Sequence, residues 1–110
     1  MRVFAASDVH TDFKKNWSVV AELSDSEYRN DALIVAGDVS DQLNTIHDSL
    51  LLLRSKFRRV FYVPGNHELW VRGGGLDSLE KFSRIVEMCD SLGVETRTAK
   101  LSSIWIVPLL

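Results

Sequence analysis

Residues 61–70 read FYVPGNHELW, and the change of character within this stretch decides the fold. Its first three residues are β-formers and predict a buried strand, which stops at the dipeptide PG. The polar side chains of Asn66, His67 and Glu68 follow at once. One such cluster is typical of a turn, so its meaning depends on whether other strands end in the same way.

Two further predicted strands also end in polar clusters. The first is followed by SDVH, which contains Asp8 and His10. The second is followed by GDVSD, which contains Asp38 and Asp41. The spacings from Asp8 to Asp38 and from Asp38 to His67 are 30 and 29 residues, about one βαβ unit each. We therefore expect all three clusters at one edge of the sheet.

The hydrophobic pattern predicts an α/β fold with the order βαβαβα followed by strands. Apolar runs predict strands at 2–6, 32–36 and 59–63, a short strand near 94–98 and a last apolar strand over 103–110. Helical periodicity predicts helices over 16–28, 42–57 and 77–92, with the apolar stripes Leu43, Ile46, Leu50, Leu53, Phe57 and Leu79, Phe82, Ile85, Val86, Cys89, Leu92. Alternating strands and helices indicate parallel pairing, and ligands of such sheets bind beyond the carboxyl ends of the strands.

Length and composition limit the class of protein. The 110 residues predict one domain over 1–110, and a net charge of −2 without long blocks of one sign gives no support to a nucleic-acid footprint or a polybasic membrane patch. The basic stretch KFRR at 56–59 is interpreted as a solvated helix end. Asp77 is a candidate N-cap of the last helix, and Gly93 a candidate stop signal.

The single cysteine, Cys89, excludes a disulfide within the chain and is predicted to be a small core residue. No apolar segment reaches the length of a transmembrane helix, and the N-terminal apolar run is too short for a signal peptide. We therefore expect a cytoplasmic location.

The residue types of the three clusters are those that bind metals. Carboxylate, amide and imidazole groups suit divalent ions such as Mn, Fe or Zn, and in DVH both Asp8 and His10 can reach one ion. Asp38 could bridge two ions because a carboxylate has two oxygens. His67 could protonate a leaving oxygen, and Asp41 could orient it. Each motif alone is typical of an ordinary polar turn, but their recurrence after three consecutive strands favours a site.

In this order and spacing, D-x-H, G-D-x-x-D and G-N-H-E resemble the calcineurin-like metallophosphoesterase superfamily. The resemblance implies a β-sandwich flanked by helices, a two-metal centre and hydrolysis of phosphate esters. It implies that Asp8 and His10 bind the first metal and that Asp38 bridges both. It further implies that Asn66 binds the second metal, that His67 is the catalytic histidine and that Asp41 supports it.

The chain departs from the family pattern in two ways. Protein phosphatases of the superfamily carry an arginine where this chain has Gln42, which favours the phosphomonoesterase or phosphodiesterase branches. The family also has further histidine ligands in its C-terminal half, whereas this chain has three histidines in all. The third, His47, is predicted to be a partly exposed helix residue. Glu68 matches a motif position that is not usually a ligand.

Two functions therefore stay open. One is a metal-dependent phosphoesterase acting on a phosphomonoester or phosphodiester, and the other is a catalytically inactive truncated form that acts as a binding module. Because the predicted ligand set is incomplete and the last strand, SIWIVPLL, ends without a polar cap, we expect a domain truncated at its C-terminus. An apolar strand of this kind also leaves self-association open. A nucleotide-binding fold has no support, since no G-x-G-x-x-G or Walker loop follows a strand.

Overall fold

The computed structural model describes residues 1–7, 9–11, 14–37, 39–65, 78–101 and 103–108. Helices and strands follow in the order β1 (Val3–Ala6), α1 (Lys14–Ala21), β2 (Ala32–Ala36), α2 (Leu43–Lys56), β3 (Arg59–Val63), α3 (Ser78–Leu92), β4 (Ala99–Leu101) and β5 (Ile104–Ile106). This order confirms the predicted α/β class, and β2 and β3 have the predicted bounds. No helix in the described part is both long and apolar enough to cross a bilayer.

The first three strands form a parallel sheet in the order β1-β2-β3. Ala5 lies beside Ile34, which in turn lies beside Phe61. All three strands therefore run in one direction, and their carboxyl ends lie at the same edge, as the spacing predicts. Beyond β3, the predicted strand at 94–98 is reduced to one parallel bridge, in which the Tyr62 amide donates to the Glu95 carbonyl at 2.9 Å.

The helices cover one face of this sheet and enclose the main core. Alternate residues of β2, Leu33 and Val35, point toward this core because successive side chains of a strand face opposite ways. They pack among buried side chains from the helices and from β3: Val20, Ile46, Leu50, Leu53, Phe57, Val60, Tyr62, Ile85 and Cys89. Burying each large aliphatic side chain stabilises the fold by about 1.5–3 kcal/mol. The prediction that Cys89 is a core residue is confirmed.

A short hairpin covers part of the other face. β4 and β5 pair antiparallel, with Lys100 opposite Trp105, and Leu101 packs against Ala32 and Phe61 of the sheet. Sequence periodicity missed β4 because three residues are too few to show an alternation. Val3 stays 42% exposed on this face, so the hairpin does not cover the whole sheet.

The first helix is shorter than predicted. It ends at Ala21, whereas the apolar pattern predicted a helix to residue 28. The Ser24 hydroxyl accepts hydrogen bonds from the amides of Ser26 and Glu27 at 3.2 and 3.0 Å. These amides are bonded to the serine hydroxyl and not to carbonyls one helical turn earlier, and such bonds favour a turn over a helix. The helix therefore does not continue to residue 28.

The interpretation of KFRR as a solvated helix end is wrong for Lys56. This lysine is 2% exposed, and its Nζ donates to the carbonyls of Ala21 and Leu23 at 3.1 and 2.6 Å and to Asp25 Oδ1 at 2.9 Å. A buried ammonium is tolerated only when it is hydrogen-bonded, and here it also satisfies carbonyls at the end of α1. Arg58 is exposed, as predicted.

The two ends of α3 test separate predictions. Gly93 has a φ of +74°, and the Val94 amide donates to the Cys89 carbonyl at 2.9 Å. This is the glycine-terminated helix end expected from the sequence. The proposed N-cap, Asp77, lies outside the described residues.

The apolar stripe predicted for α3 is wrong at its first position, because Leu79 is 79% exposed. The buried stripe runs through Lys81, Ile85 and Cys89, which are four residues apart and lie on one helix face. Leu79 lies two residues before Lys81, and each residue turns about 100° around the helix axis. Leu79 is therefore on the opposite side of the helix from Lys81. Leu79 therefore points away from the core.

Candidate active site

The site predicted from sequence is expected at the carboxyl edge of the parallel sheet. Two of its predicted members, His10 and Asp41, belong to the described residues. The others lie outside them: Asp8, Asp38, Asn66 and His67, together with the neighbouring Glu68. The described residues that flank these positions show how three chain segments approach one another at this edge.

The ends of β2 and β3 meet backbone to backbone. Gly37 has a φ of +77°, and a Cβ placed on it would lie 2.9 Å from both the Cα and the amide nitrogen of Gly65. A side chain at Gly37 has no room, and its backbone conformation also favours glycine. Gly37 directly precedes Asp38 in the sequence, and Gly65 directly precedes Asn66. The first residues of the second and third clusters, Gly37 and Gly65, are therefore in direct contact.

The segments after β1 and β2 are joined by hydrogen bonds. The Thr11 amide donates to the Val39 carbonyl at 3.0 Å, and the hydroxyls of Thr11 and Ser49 are 2.6 Å apart. The Ser49 hydroxyl donates its one hydrogen bond to the Thr45 carbonyl. In the pair with Thr11 it therefore accepts, and the Thr11 hydroxyl is the donor. These bonds attach the first polar cluster to both the second cluster and helix α2.

His10 lies in an uncommon backbone conformation. Its φ is +44°, which residues other than glycine adopt at a cost of about 1–3 kcal/mol. Neighbouring contacts hold it there: the Asn16 side-chain amide donates to the His10 carbonyl at 3.2 Å, and Thr11 is bonded to Val39. Such strain concentrates at functional positions, which agrees with the role predicted for this histidine.

Asp41 lies in a segment held by buried side chains. Ser40 is fully buried and accepts a hydrogen bond from the Gln42 amide at 3.0 Å. Asp41 is half-buried, and one of its carboxylate oxygens is enclosed. Its carbonyl accepts a hydrogen bond from Lys81 Nζ at 2.5 Å. Helix α3 thus reaches the segment that carries the second polar cluster.

Sequence reasoning missed Lys81, because a lysine in an amphipathic helix is usually exposed. The signal that could have revealed it is the spacing of four residues to Ile85 and of eight to Cys89. This spacing places Lys81 on the buried stripe of the helix.

Two ion pairs, each with two side-chain hydrogen bonds, lie away from this edge and connect parts of the sheet. Arg2 donates two side-chain hydrogen bonds to Asp31 Oδ2, at 3.1 and 2.8 Å, at the amino end of β2. These bonds lower the pKa of Asp31. Arg59 binds both carboxylate oxygens of Glu95, at 2.8 and 2.5 Å, which raises the pKa of the arginine. The pairs tie β1 to β2 and β3 to the segment after α3.

The third histidine is where the sequence placed it. The side chain of His47 is 43% exposed on α2, and its Nδ1 lies 3.0 Å from Asp48 Oδ1. The prediction of a partly exposed helix residue is confirmed.

The donor set at the sheet edge has the chemistry that a divalent metal needs. Within the described ranges, no group of three or more His, Cys, Asp and Glu side chains could hold a metal ion. His10 is the described member of the predicted set, and its imidazole is a ligand for Mn, Fe or Zn. The predicted carboxylate and amide ligands, Asp8, Asp38 and Asn66, follow strand ends that converge on this edge. The residue types fit a metal centre, and the centre itself stays a prediction.

Comparison with known proteins identifies relatives. A family model described as calcineurin-like phosphoesterase matches residues 1–107. The chain is 43% identical over 99 residues to the acyl-carrier-protein phosphodiesterase PptH of Mycobacterium tuberculosis, a match that covers 86% of this chain and 30% of that protein. It also matches the crystal structure of Phosphopantetheinyl Hydrolase (PptH) from Mycobacterium tuberculosis with a TM-score of 0.87 and 35% identity, over 99% of this chain and 42% of that one. The chain therefore spans less than half the length of these relatives.

Proposed function

This chain belongs to the calcineurin-like phosphoesterase family, and on that premise we propose that it hydrolyses a phosphate ester at a centre of two divalent metal ions. The observation that carries the proposal is the contact between Gly37 and Gly65. It joins the strand ends that lead into Asp38 and Asn66, two predicted ligands. The recognition of this family from the three motifs is confirmed, whereas the metal centre is our proposal.

We propose a phosphodiester as the substrate class. Gln42 stands where the protein phosphatases of the superfamily carry a phosphate-binding arginine, which argues against a phosphoprotein substrate. The relative with 43% identity is named as an acyl-carrier-protein phosphodiesterase, and the matching structure as a phosphopantetheinyl hydrolase. We therefore propose a phosphopantetheinyl group attached to a carrier protein as the specific substrate.

Each predicted residue has a role in this proposal. The ions would be held by Asp8, His10, Asp38 and Asn66. When bound, they supply charge stabilisation at the phosphoryl oxygens and lower the pKa of water. His10 binds a metal only as the neutral imidazole, and its carbonyl bond from Asn16 holds the backbone that presents the ring.

The leaving group departs with a proton. Water attacks phosphorus while the P–O bond on the opposite side breaks, and His67 gives its proton to the departing oxygen. The attacking water loses one proton to solvent, and His67 takes up a proton from solvent before the next turnover. Asp41 orients His67 and stabilises the charged imidazole before the proton is transferred.

Bound metal and turnover measured on the same sample test this function. The purified chain is loaded with Mn²⁺, and bound metal is quantified alongside hydrolysis of bis(p-nitrophenyl) phosphate and p-nitrophenyl phosphate. We expect hydrolysis of the diester, lost on Asp38→Asn through weaker metal binding. We expect His67→Ala to keep the metal and to lower kcat by about 10²–10⁴-fold, the usual contribution of acid–base catalysis.

Matched controls come from the exposed pair on α2. His47→Ala and Asp48→Asn repeat the same chemical changes at side chains that are 43% and 64% exposed, and we expect both variants to keep activity. Metal binding without turnover by the wild-type chain would instead support an inactive binding module. Equal losses in the α2 variants and the site variants would contradict the assigned roles.

Two further proposals come from the sequence. The buried thiol of Cys89 forms no disulfide and supports a cytoplasmic location, where thiols stay reduced. Cell fractionation tests this location, and recovery outside the cytoplasm would contradict it.

The exposed Ile104 and Trp105 of the last strand support self-association through β5.

A further inference from the structure

We propose that Lys81 is a positioning residue for the metal site, which it supports from helix α3 without touching the substrate. The inference rests on the proposed function, since it concerns the same site. It assigns a role to a buried charged group that neither the three motifs nor the ligand set includes.

The burial of Lys81 calls for an explanation. The residue lies in the first part of α3 and is 5% exposed, on the same stripe as Ile85 and Cys89. Burying an ammonium group costs free energy unless hydrogen bonds compensate, and a leucine or methionine would fill a core position without that cost. The ammonium donates to the Asp41 carbonyl at 2.5 Å. The position therefore uses a charge where packing alone would not require one.

Two carbonyls of the segment between β2 and α2 accept hydrogen bonds from two different parts of the fold. From the segment after β1, the Thr11 amide donates to the Val39 carbonyl at 3.0 Å. On the side of α3, Lys81 binds the carbonyl of Asp41, two residues further on. Gly37 packs against Gly65 at the start of the same segment. Asp38, a predicted ligand, directly follows Gly37 in this segment. The hydrogen bond from Lys81 is therefore one of the contacts that determine the path of the segment that carries this ligand.

A second buried lysine provides the matched control. Lys56 is 2% exposed, and its Nζ binds two carbonyls and a carboxylate at the end of α1. Its hydrogen bonds hold Ala21, Leu23 and Asp25, none of which belongs to the three polar clusters. Replacing either lysine by methionine removes a buried donor and keeps a side chain of similar length. A general loss of stability affects both variants, whereas a loss of site geometry affects only Lys81→Met.

The experiment compares Mn²⁺ binding by the wild-type chain, Lys81→Met and Lys56→Met. Affinity is measured by titration calorimetry at a temperature where circular dichroism shows each protein folded, and the Mn²⁺ EPR spectrum is recorded at saturation. We expect Lys81→Met to weaken Mn²⁺ binding about tenfold, as removal of groups that support metal ligands does, and to change the EPR spectrum. Lys56→Met keeps the affinity within about twofold, inside the usual scatter of distant substitutions. If Lys81→Met does not fold, Lys81→Gln takes its place, since its shorter side chain also loses the bond to Asp41.

The outcomes separate this inference from the function on which it rests. Wild-type affinity and an unchanged spectrum in the Lys81 variant would overturn the positioning role alone. Equal losses of affinity in the Lys81 and Lys56 variants would overturn it as well, because they would indicate a stability effect. A wild-type chain that is folded and binds no Mn²⁺ would overturn the proposed metal centre and the role of Lys81 together.

Discussion

Gly37 illustrates how one residue can be required twice, by its own backbone and by a neighbouring strand. Its φ of +77° lies in the left-handed region, and its α-carbon faces the Gly65 backbone. The first requirement concerns local strain, and the second concerns contact between β2 and β3. A second glycine, Gly93, shares the first requirement but not the second, since a Cβ there would meet only the Arg54 side chain at 3.5 Å.

We expect Gly37→Ala to lower the free energy of unfolding by more than the about 1–3 kcal/mol that left-handed strain alone costs, because the clash with the Gly65 backbone adds to it. Gly93→Ala should cost less, about 1 kcal/mol, since strain alone acts there. Urea denaturation of both variants measures the difference. Equal losses would mean that the close approach at the sheet edge contributes nothing to stability.

His10 and Lys81 are also residues whose conformation or burial is costly in isolation. A positive φ at a histidine and a buried ammonium both lower stability unless surrounding contacts maintain them. The His10 carbonyl accepts a hydrogen bond from the Asn16 side-chain amide, and the Lys81 ammonium donates one to the Asp41 carbonyl. His10 is itself a predicted ligand, and Lys81 contacts a segment that carries another, where such costs are commonly found.

At the scale of elements, helix α2 connects the core to the site. Its apolar face carries Ile46, Leu50 and Leu53 into the main core, while Ser49 binds Thr11 from the segment after β1. Ser49 is fully buried, as is Ser40 in the segment before α2. Helix α2 therefore joins the main core to the segment after β1.

Leu50→Ala tests this element, because Leu50 is fully buried. We expect it to destabilise the fold by about 2–5 kcal/mol through lost burial and a cavity. Leu51→Ala makes the same chemical change at a neighbouring side chain that is 49% exposed, and it should cost less than about 1 kcal/mol. Chemical denaturation measures both, and similar losses would contradict the assignment of the buried face.

The hairpin β4-β5 depends on the sheet for its stability, since a two-stranded hairpin alone is marginal in water. Leu101 anchors it against Ala32 and Phe61, and Lys100 lies over the Trp105 ring at 5.8 Å from its centroid. On the outward side of β5, Trp105 contacts Lys100 and remains 62% exposed.

At the scale of the whole molecule, the hairpin side of the sheet carries exposed apolar side chains. Val3, Ile104, Trp105 and Val107 are each more than 40% exposed. Exposed apolar groups near a strand edge favour association between chains. On the helix side, Val19, Leu51 and Leu79 are also exposed, but each lies on a different helix and not on a strand.

We expect the chain to self-associate with rising concentration, as measured by sedimentation velocity. Trp105→Lys should shift the distribution toward monomer, because a charge on β5 opposes pairing of strand edges. Leu79→Lys is the matched control, since Leu79 is 79% exposed on α3 and away from the hairpin. A monomer at every concentration, or equal effects of the two variants, would contradict association through β5.

Much of this architecture could be read from the sequence. The apolar runs of β2 and β3 ended at the observed residues, and the spacing of the polar clusters correctly predicted parallel strands with a common carboxyl edge. These features follow from local chemistry, because strand and helix periodicities act over a few residues and each βαβ unit has a characteristic length. The same local motifs identified the family.

The tertiary structure decided what depends on distant contacts. Lys56 and Lys81 can be buried because carbonyls 33–35 and 40 positions earlier in the chain accept hydrogen bonds from their ammonium groups, and no local pattern reveals such partners. Leu79 is exposed because the contact face of α3 runs through Lys81 and Ile85. The strand predicted at 94–98 became a single bridge at Glu95, held by β3. Local sequence determines which element forms, whereas burial and hydrogen bonding depend on which segments meet when the chain folds.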